Sequence, residues 1–337
     1  MKICLLANDY VQQFPLKGYG GVEICVESLA WALWSYNHEF FVITPQTEGE
    51  QQKYPFPVYE TKAKPTSISK DSSYNYAWSA REIIKVQKPD VIWSQSHWSA
   101  DALNDLGIPI ICTFHDSCEK KFGWIKNYPN VRYRFLSEFS YNNWVTETWE
   151  RKISFVTHSG LIADDYELNE KPNDYLLWVG GLVWGGQAKG LDYVMKLAEL
   201  MPEQEFRVYG AGNPQLEGLL QSYSQQYRNF HYMGELERGE EHHKAFANAK
   251  AFLMPTRIPD TFPRVVLEAM SKGTPVIGSN CGSVPETIGD TGMIIDPDNP
   301  QPLNLPEFDR RAVFERARLY HILMEVDSLV AESEGLC

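Results

Sequence analysis

Two carboxylates, Asp260 and Glu268, lie on either side of a predicted junction between a loop and a helix. The apolar run 251–254 predicts a strand before the loop. Pro263 fits the first position of the helix, because its missing N–H needs no partner there. Thr261 can cap the same helix with its side chain. Since a helix N-terminus has free N–H groups and a partial positive charge, the junction predicts a site for an anion such as phosphate.

Carboxylates beside a phosphate site repel the phosphate, so their chemistry suits the hydroxyl groups of a bound sugar. Arg264 adds a full positive charge at the helix start, which favours the anion. Two simpler interpretations stay open from spacing alone. Asp260 can be an acid that stabilises a helix N-terminus, and Glu268 can be a solvated helix residue.

The chain has 337 residues, 43% hydrophobic and 22% charged, which predicts a globular protein of two domains. Its net charge of −13 argues against a nucleic-acid partner, since phosphate neutralisation by Lys and Arg supplies most of that affinity. Six scattered cysteines without a C-x-x-C pair are typical of reduced thiols in the cytoplasm. The first ten residues predict a buried strand and no signal peptide. No apolar run reaches the ~20 residues of a membrane span, so any membrane contact is expected to be peripheral.

Short apolar runs alternate with helical patterns along the whole chain, which predicts an α/β protein with two doubly wound parallel sheets in tandem. We place the domain boundary at the polar segment 169–174. The predicted domains are 1–170 and 171–308, followed by 309–337, a C-terminal helical segment that can pack back on the first domain. Residues 310–332 read as one long helix.

In such sheets ligands bind beyond the carboxyl ends of the strands. His115 ends the predicted strand 108–114, where it can face a ligand or be a core histidine. Lys189 lies in a glycine-flanked loop, 185–190, where it can neutralise a leaving phosphate or be solvated. His97 ends another strand, and we leave it out of the catalytic set.

Three other segments have competing interpretations. The stretch 118–144 interleaves basic and aromatic residues, which fits either an acceptor surface or packing beside a solvated face. Asp164 and Asp165 are interpreted as solvated loop acids. The segment 240–243, with its two histidines, is interpreted as a helix start with solvated side chains and not as a metal site.

Residues 255–297 resemble the donor-site segment of the retaining glycosyltransferases of family 4, which have the GT-B fold. That family places two acidic residues with seven residues between them, and Asp260 and Glu268 stand at those positions. Further similar segments follow in the family's order: 18–21, 111–116, 155–162, 176–202, 206–214 and 231–236.

The resemblance implies that Glu268 binds the ribose of a nucleotide sugar and that Asp260 contacts the transferred sugar. It implies three catalytic residues: His115, Asp260 and Lys189. The donor-binding residues that it implies are Gly20, Gly21, Gly181, Lys189, Gly210, Gly212, Met233, Asp260, Thr261, Phe262, Pro263, Arg264, Val265 and Glu268. Two positions depart from the family. Gly181 replaces an arginine, so a diphosphate contact is missing or comes from Arg257 or Arg264, and Asp260 is one methylene shorter than glutamate.

The sequence therefore predicts a retaining, metal-independent GT-B glycosyltransferase without a cofactor, whose donor is a nucleoside diphosphate sugar. The expected acceptor is a glycan, a lipid-linked molecule or a small molecule, and the expected location is the cytoplasm, with membrane-surface contact allowed. Two alternatives stay open: a GT-B epimerase or phosphorylase, and a catalytically silent sugar-nucleotide-binding protein.

Overall fold

The computed structural model describes residues 1–8, 21–46, 54–64, 70–115, 125–183, 186 and 188–336, apart from the side chain of Asp164. The chain divides into two compact units. The first unit comprises Met1–Ile162 and His321–Cys337, and the second comprises Ala163–Tyr320. No helix in the described ranges is long and apolar enough to cross a membrane.

The central strands of the first unit are short apolar runs whose residues are buried on both faces, as expected for a parallel sheet covered by helices on each side. Its strands are β1 (Lys2–Leu6), β2 (Glu39–Thr44), β3 (Val58–Glu60), β4 (Val91–Ser94), β5 (Ile110–Phe114), β6 (Val131–Phe135) and β7 (Ser154–Val156). Its helices are α1 (Gly21–Ser35), α2 (Lys70–Gln87), α3 (Ser99–Leu103), α4 (Glu138–Trp144) and α5 (Thr148–Arg151), with a 3₁₀ turn at Asn104–Leu106.

In the second unit, the strands are β8 (Tyr175–Val179), β9 (Glu205–Tyr209), β10 (Phe230–Tyr232), β11 (Ala251–Met254), β12 (Val276–Ser279) and β13 (Met293–Ile295). The helices of this part of the chain are α6 (Leu191–Leu200), α7 (Pro214–Gln226), α8 (Glu240–Ala247), α9 (Arg264–Met270), α10 (Val284–Ile288) and α11 (Arg310–Arg318), with a 3₁₀ turn at Ala163–Asp165. After α11 the chain returns to the first unit as α12 (Ile322–Glu334).

Both sheets are parallel at every described pairing, and both are doubly wound. The strand order is β3-β2-β1-β4-β5-β6-β7 in the first unit and β10-β9-β8-β11-β12-β13 in the second. The order reverses between β1 and β4 and between β8 and β11, which are the points where sheets of this kind bind ligands. The prediction of two doubly wound α/β domains is confirmed.

The C-terminal segment differs from the single long helix predicted for 310–332, because it breaks into α11 and α12. His321 lies between them in extended conformation, and its Nδ1 accepts a hydrogen bond from the backbone N–H of Leu323. That bond caps α12, and Ile322 N donates to Leu161 O at 2.9 Å. The break therefore lets α12 pack on the first unit, while α11 stays with the second.

Candidate functional site

Two loops meet at the strand-order reversal of the second unit, one after β8 and one after β11. Trp178 Nε1 donates to Lys189 O at 3.2 Å, and Arg257 N donates to Ala188 O at 2.9 Å. Gly190, at a φ of +76°, passes so close to Pro255 that a Cβ atom would lie 2.0 Å from its carbonyl oxygen. These contacts fasten the Lys189 loop to the segment that carries Asp260.

Lys189 and Asp260 are brought together by this arrangement. Lys189 Nζ lies 4.0 Å from Asp260 Oδ2, and the side chains are 28% and 31% exposed. Phe262 N donates to Asp260 Oδ1 at 3.1 Å, which orients the carboxylate by a local turn. An ion pair this exposed is worth about 1 kcal/mol or less. It can therefore open at little cost, which frees the ammonium for a phosphate and the carboxylate for a hydroxyl.

The start of α9 corrects one prediction. The helix begins at Arg264, and Pro263 is the N-cap residue, in extended conformation and without a side-chain capping bond. The predicted cap by Thr261 is therefore wrong. Because the backbone of Pro263 is itself extended, the helix starts one residue later than expected. Of the following residues, Arg264 is buried and Val265 is partly buried.

Glu268 is neither solvated nor isolated. Its side chain is 15% exposed, and its Oε2 lies 3.4 Å from Nε2 of His242 on α8. Burial raises the pKa of Glu268, but the contact with His242 and the positive charges of Arg264 and Arg238 outweigh burial and hold the pKa at about 2. Glu268 is therefore an anion at neutral pH, and the solvated interpretation is wrong.

Two of the segments interpreted as solvated are in fact partly buried. Although α8 begins at Glu240 as predicted, His242 is buried. The side chain of Asp165 is 17% exposed, and its Oδ1 lies 3.7 Å from His243 Nε2. Burial raises the pKa of Asp165. Among the described residues, no group of three or more His, Cys, Asp or Glu side chains is arranged to hold a metal ion.

Arg257 does not take the place of the arginine missing at Gly181. Its Nη1 donates to Asp192 at 2.9 Å and its Nε to Asp298 at 2.6 Å, so its charge is used within the second unit. Arg264 is buried, and its charge acts on Asp165 and Glu268. The candidate site therefore has Lys189 as its partly exposed cation.

Three of the glycines predicted to bind the donor, Gly181, Gly210 and Gly212, follow β8 and β9, and Gly234 follows the neighbouring strand β10. Gly180 N donates to Tyr209 O at 3.1 Å, and Gly210 N donates to Gly234 O at 2.8 Å. A Cβ atom on Gly210 would lie 2.3 Å from Gly180 O. Gly212 has a φ of +103° and is exposed, as are Gly181 and Met233. The carboxyl ends of the three strands thus form one glycine-lined edge.

In the first unit, His115 follows β5 and lies beside the end of β4. His115 Nε2 is 2.9 Å from Gln95 Oε1, and the Gln95 side chain is buried. Burial, together with the positive charge of Arg134, lowers the pKa of His115 to about 3, so the ring is neutral at neutral pH. Sequence reasoning missed Gln95, although its position directly after a strand was a usable signal.

His97 is a core residue, in agreement with its omission from the catalytic set. Its ring stacks on Phe114 with centroids 4.0 Å apart, and burial lowers its pKa to about 3. Gly21 is the first residue of α1. Gly20, the other predicted glycine of this turn, lies outside the described residues.

The acceptor-surface interpretation of 118–144 is wrong for most of β6 and for the end of α4. Tyr133, Arg134 and Phe135 are fully buried in β6, and Trp144 is buried at the end of α4. Strands of a covered parallel sheet are buried on both faces, which explains why an interleaved pattern here forms core. Residues 118–124 of this stretch lie outside the described residues.

Comparisons with known proteins agree with this architecture. A model of Glycosyl transferases group 1 matches residues 173–304, and a model of Glycosyltransferase Family 4 matches residues 19–160. The chain is 32% identical to Sulfoquinovosyl transferase SQD2 of Arabidopsis thaliana over 117 residues, which covers 33% of this chain and 22% of that protein. It is 43% identical over 54 residues to O-antigen chain mannosyltransferase B of Escherichia coli, covering 16% of this chain and 14% of that protein. The chain thus spans less than a quarter of either curated relative.

A solved structure resembles the chain over its whole length. Anabaena HepE, determined in complex with UDP and glucose, has a TM-score of 0.70 at 15% identity, with 100% of both chains covered. A likeness at this identity establishes the fold. Since the two family models match the two halves of the chain in order, the chain belongs to the glycosyltransferases of family 4, the glycosyl transferases group 1, and has the GT-B fold.

Proposed function

We propose that this protein is a retaining glycosyltransferase that moves a sugar from a nucleoside diphosphate donor to an acceptor hydroxyl without a metal ion. One observation carries the proposal: Lys189 and Asp260, from the two loops at the strand-order reversal, lie 4.0 Å apart and partly exposed. A cation and a carboxylate at this point suit a molecule with a phosphate next to a polyhydroxylated ring.

In the proposed reaction, the bond between the anomeric carbon and the leaving phosphate oxygen breaks, and a bond from that carbon to the acceptor oxygen forms. The acceptor's proton passes to the leaving phosphate, so no protein nucleophile is required. Lys189 stabilises the charge that develops on the diphosphate, which is the contribution a metal ion makes in other enzymes. Asp260 orients hydroxyls of the transferred sugar, and a role for the neutral His115 is proposed from the family resemblance alone. Retention is proposed from the family resemblance.

The donor's remaining parts are assigned to the second unit. Glu268 is proposed to accept a hydrogen bond from the ribose, and the glycine-lined edge with Met233 to receive the base. HepE, solved with UDP and glucose, supports a donor of this class. The proposed acceptor is a glycan or a lipid-linked molecule, and the proposed location is the cytoplasm or a membrane surface facing it.

Thermal denaturation with UDP, GDP, ADP, CMP and dTDP sugars tests the donor site. A ligand at 100 times its Kd stabilises a protein by about 2.7 kcal/mol, so the preferred donor should raise Tm by several degrees. Lys189→Met should abolish most of that shift, while Lys244→Met, at an exposed position on α8, should leave it intact. If no sugar nucleotide shifts Tm, the donor site is wrong.

Product analysis with and without acceptor separates the remaining possibilities. A transferase releases nucleoside diphosphate and forms a glycoside with the donor's anomeric configuration. An epimerase changes the sugar nucleotide itself without an acceptor, and a phosphorylase requires inorganic phosphate. Binding of a donor without turnover, even by hydrolysis, would instead identify a silent sugar-nucleotide-binding protein.

A further inference from the structure

His242 on α8 is a buried histidine whose polar partner is a residue of the proposed donor site. Its ring packs 4.8 Å from the ring of Phe246, one turn further along the same helix. Its Nε2 lies 3.4 Å from Glu268 Oε2 on α9. Because the imidazole is held by packing and faces a carboxylate on a neighbouring helix, it fixes where one oxygen of that carboxylate lies.

The contact that the structure describes between Glu268 and His242 is made by Oε2, and the second carboxylate oxygen, Oε1, lies outside that contact. A carboxylate oxygen accepts about two hydrogen bonds, so Oε1 keeps its capacity for a ligand. The charged groups near this carboxylate are Arg264 at the start of α9, Arg238 before α8, Lys272 after α9 and Asp165 in the 3₁₀ turn. The three cations favour the ionised form, which is the form that accepts hydrogen bonds from hydroxyl groups.

We propose that His242 is a positioning residue for Glu268: by holding Oε2, it leaves Oε1 to accept a hydrogen bond from a ribose hydroxyl of the donor. This inference rests on the proposed function. It assigns no direct ligand contact to His242. Its consequence is specific, because loss of His242 should weaken recognition of the ribose hydroxyls and leave recognition of the diphosphate unchanged.

His243 offers a matched control on the same helix. Its Nε2 lies 3.7 Å from Asp165 Oδ1, and its Nδ1 lies 3.5 Å from Lys272 Nζ, so it has different partners from His242. A His243→Phe substitution replaces histidine by phenylalanine on the same helix as His242→Phe does. It does not remove the contact to Glu268.

The test measures Kd by calorimetry for the nucleoside diphosphate that the thermal panel selects and for its 2′,3′-dideoxy analogue. Wild type should bind the nucleoside diphosphate at least tenfold more tightly than the dideoxy analogue, because losing a hydrogen bond to a charged group usually raises Kd by at least that factor. His242→Phe should remove most of that preference, and His243→Phe should keep it. His242→Gln, whose amide can donate to Oε2, should restore part of it and also serves if the phenylalanine variant does not fold.

Several outcomes would overturn the inference. Equal weakening of both ligands by His242→Phe would show a purely structural role, and an unchanged preference would show no role. If wild type binds both ligands equally, Glu268 does not bind the ribose hydroxyls and the inference fails. The proposed function would still stand. If wild type binds no nucleoside diphosphate at all, the proposed function itself fails.

Discussion

Gly181 lies at the end of β8, where the family has an arginine, and the structure leaves room for a side chain there. A Cβ atom at this position would meet no atom within 4 Å, and the residue is exposed. Arg257, one of the two candidates to replace the missing arginine, is paired with Asp192 and Asp298. The proposed diphosphate site therefore has one cation fewer than the family pattern provides.

Gly181→Arg should tighten binding of the nucleoside diphosphate by roughly tenfold, since a charge-assisted hydrogen bond contributes about 1.5–3 kcal/mol when its geometry is good. Calorimetry measures the Kd values of both proteins. Gly181→Gln controls for bulk, and it should leave Kd within about twofold of wild type. An arginine variant that binds no more tightly than the glutamine variant would place the diphosphate away from β8.

For individual residues, the sequence predicted which ones lie in the loops after strands. It could not predict which residues from distant parts of the chain they contact. Lys189 and Asp260 were recognisable because each lies in a loop between a strand and the next helix, at positions that the family resemblance marks. The ion pairs of Arg257 join it to Asp298, and the contact of Glu268 with His242 joins two helices. Such pairs depend on how separate helices and strands pack against one another, and a local sequence pattern does not predict that packing.

The Lys189 loop depends on a close approach of two backbones at Gly190. Alanine there would need a left-handed conformation and would place its Cβ 2.0 Å from Pro255 O. Gly190→Ala should lower the free energy of unfolding by about 1–3 kcal/mol. It should also weaken donor binding, because the loop that carries Lys189 must move away from the Asp260 segment. Chemical denaturation and calorimetry measure the two effects.

Gly218 supplies the matched control for that substitution. It lies in the middle of α7, and a Cβ atom there would meet nothing within 4 Å. Gly218→Ala should raise the free energy of unfolding by about 0.5–1 kcal/mol, because alanine favours the helix, and should not change donor affinity. Equal donor affinities for the two variants would mean that the close approach at Gly190 does not position Lys189.

Among the elements, the alternation of strands and helices gave the architecture, while short elements were missed. Three strands, β3, β6 and β13, were not predicted, since β3 and β13 have only three residues and β6 places arginines among aromatic residues. Arg134 could be assigned to the core only through its partners, which come from β7 and α12. The break before α12 was hidden because the apolar pattern continues through His321.

At the scale of the whole molecule, the chain returns from the second unit to the first, and α12 joins the first unit through a buried ion pair. Arg134 Nη2 donates to Glu325 Oε1 at 2.6 Å, and both side chains are 1% exposed. Gly160 N donates to Glu325 Oε2 at 2.6 Å, and Trp93 Nε1 donates to Ser333 Oγ at 2.9 Å. The first unit therefore contains buried polar groups that hydrogen-bond to α12.

Glu325→Leu should cost about 3–5 kcal/mol of folding free energy, because it leaves Arg134 buried without its counter-charge. Urea denaturation monitored by tryptophan fluorescence measures the loss. Arg134→Met combined with Glu325→Leu should recover a large part of it, since replacing a whole buried pair by apolar residues is often neutral. A single-variant cost below about 1 kcal/mol would mean that the pair does not anchor α12.

Because α12 belongs to the first unit but is translated last, the first unit is completed only near the end of synthesis. The ribosome makes residues 1–162 first, yet this unit has its final helix only after the whole of 163–320 has been made. At about 5–20 residues per second, the early strands wait roughly 10 to 35 seconds for α12. The second unit, which is continuous in sequence, has every residue it needs once Tyr320 has been made, just before α12 follows. The half of the protein that is translated first is thus the half that is completed last.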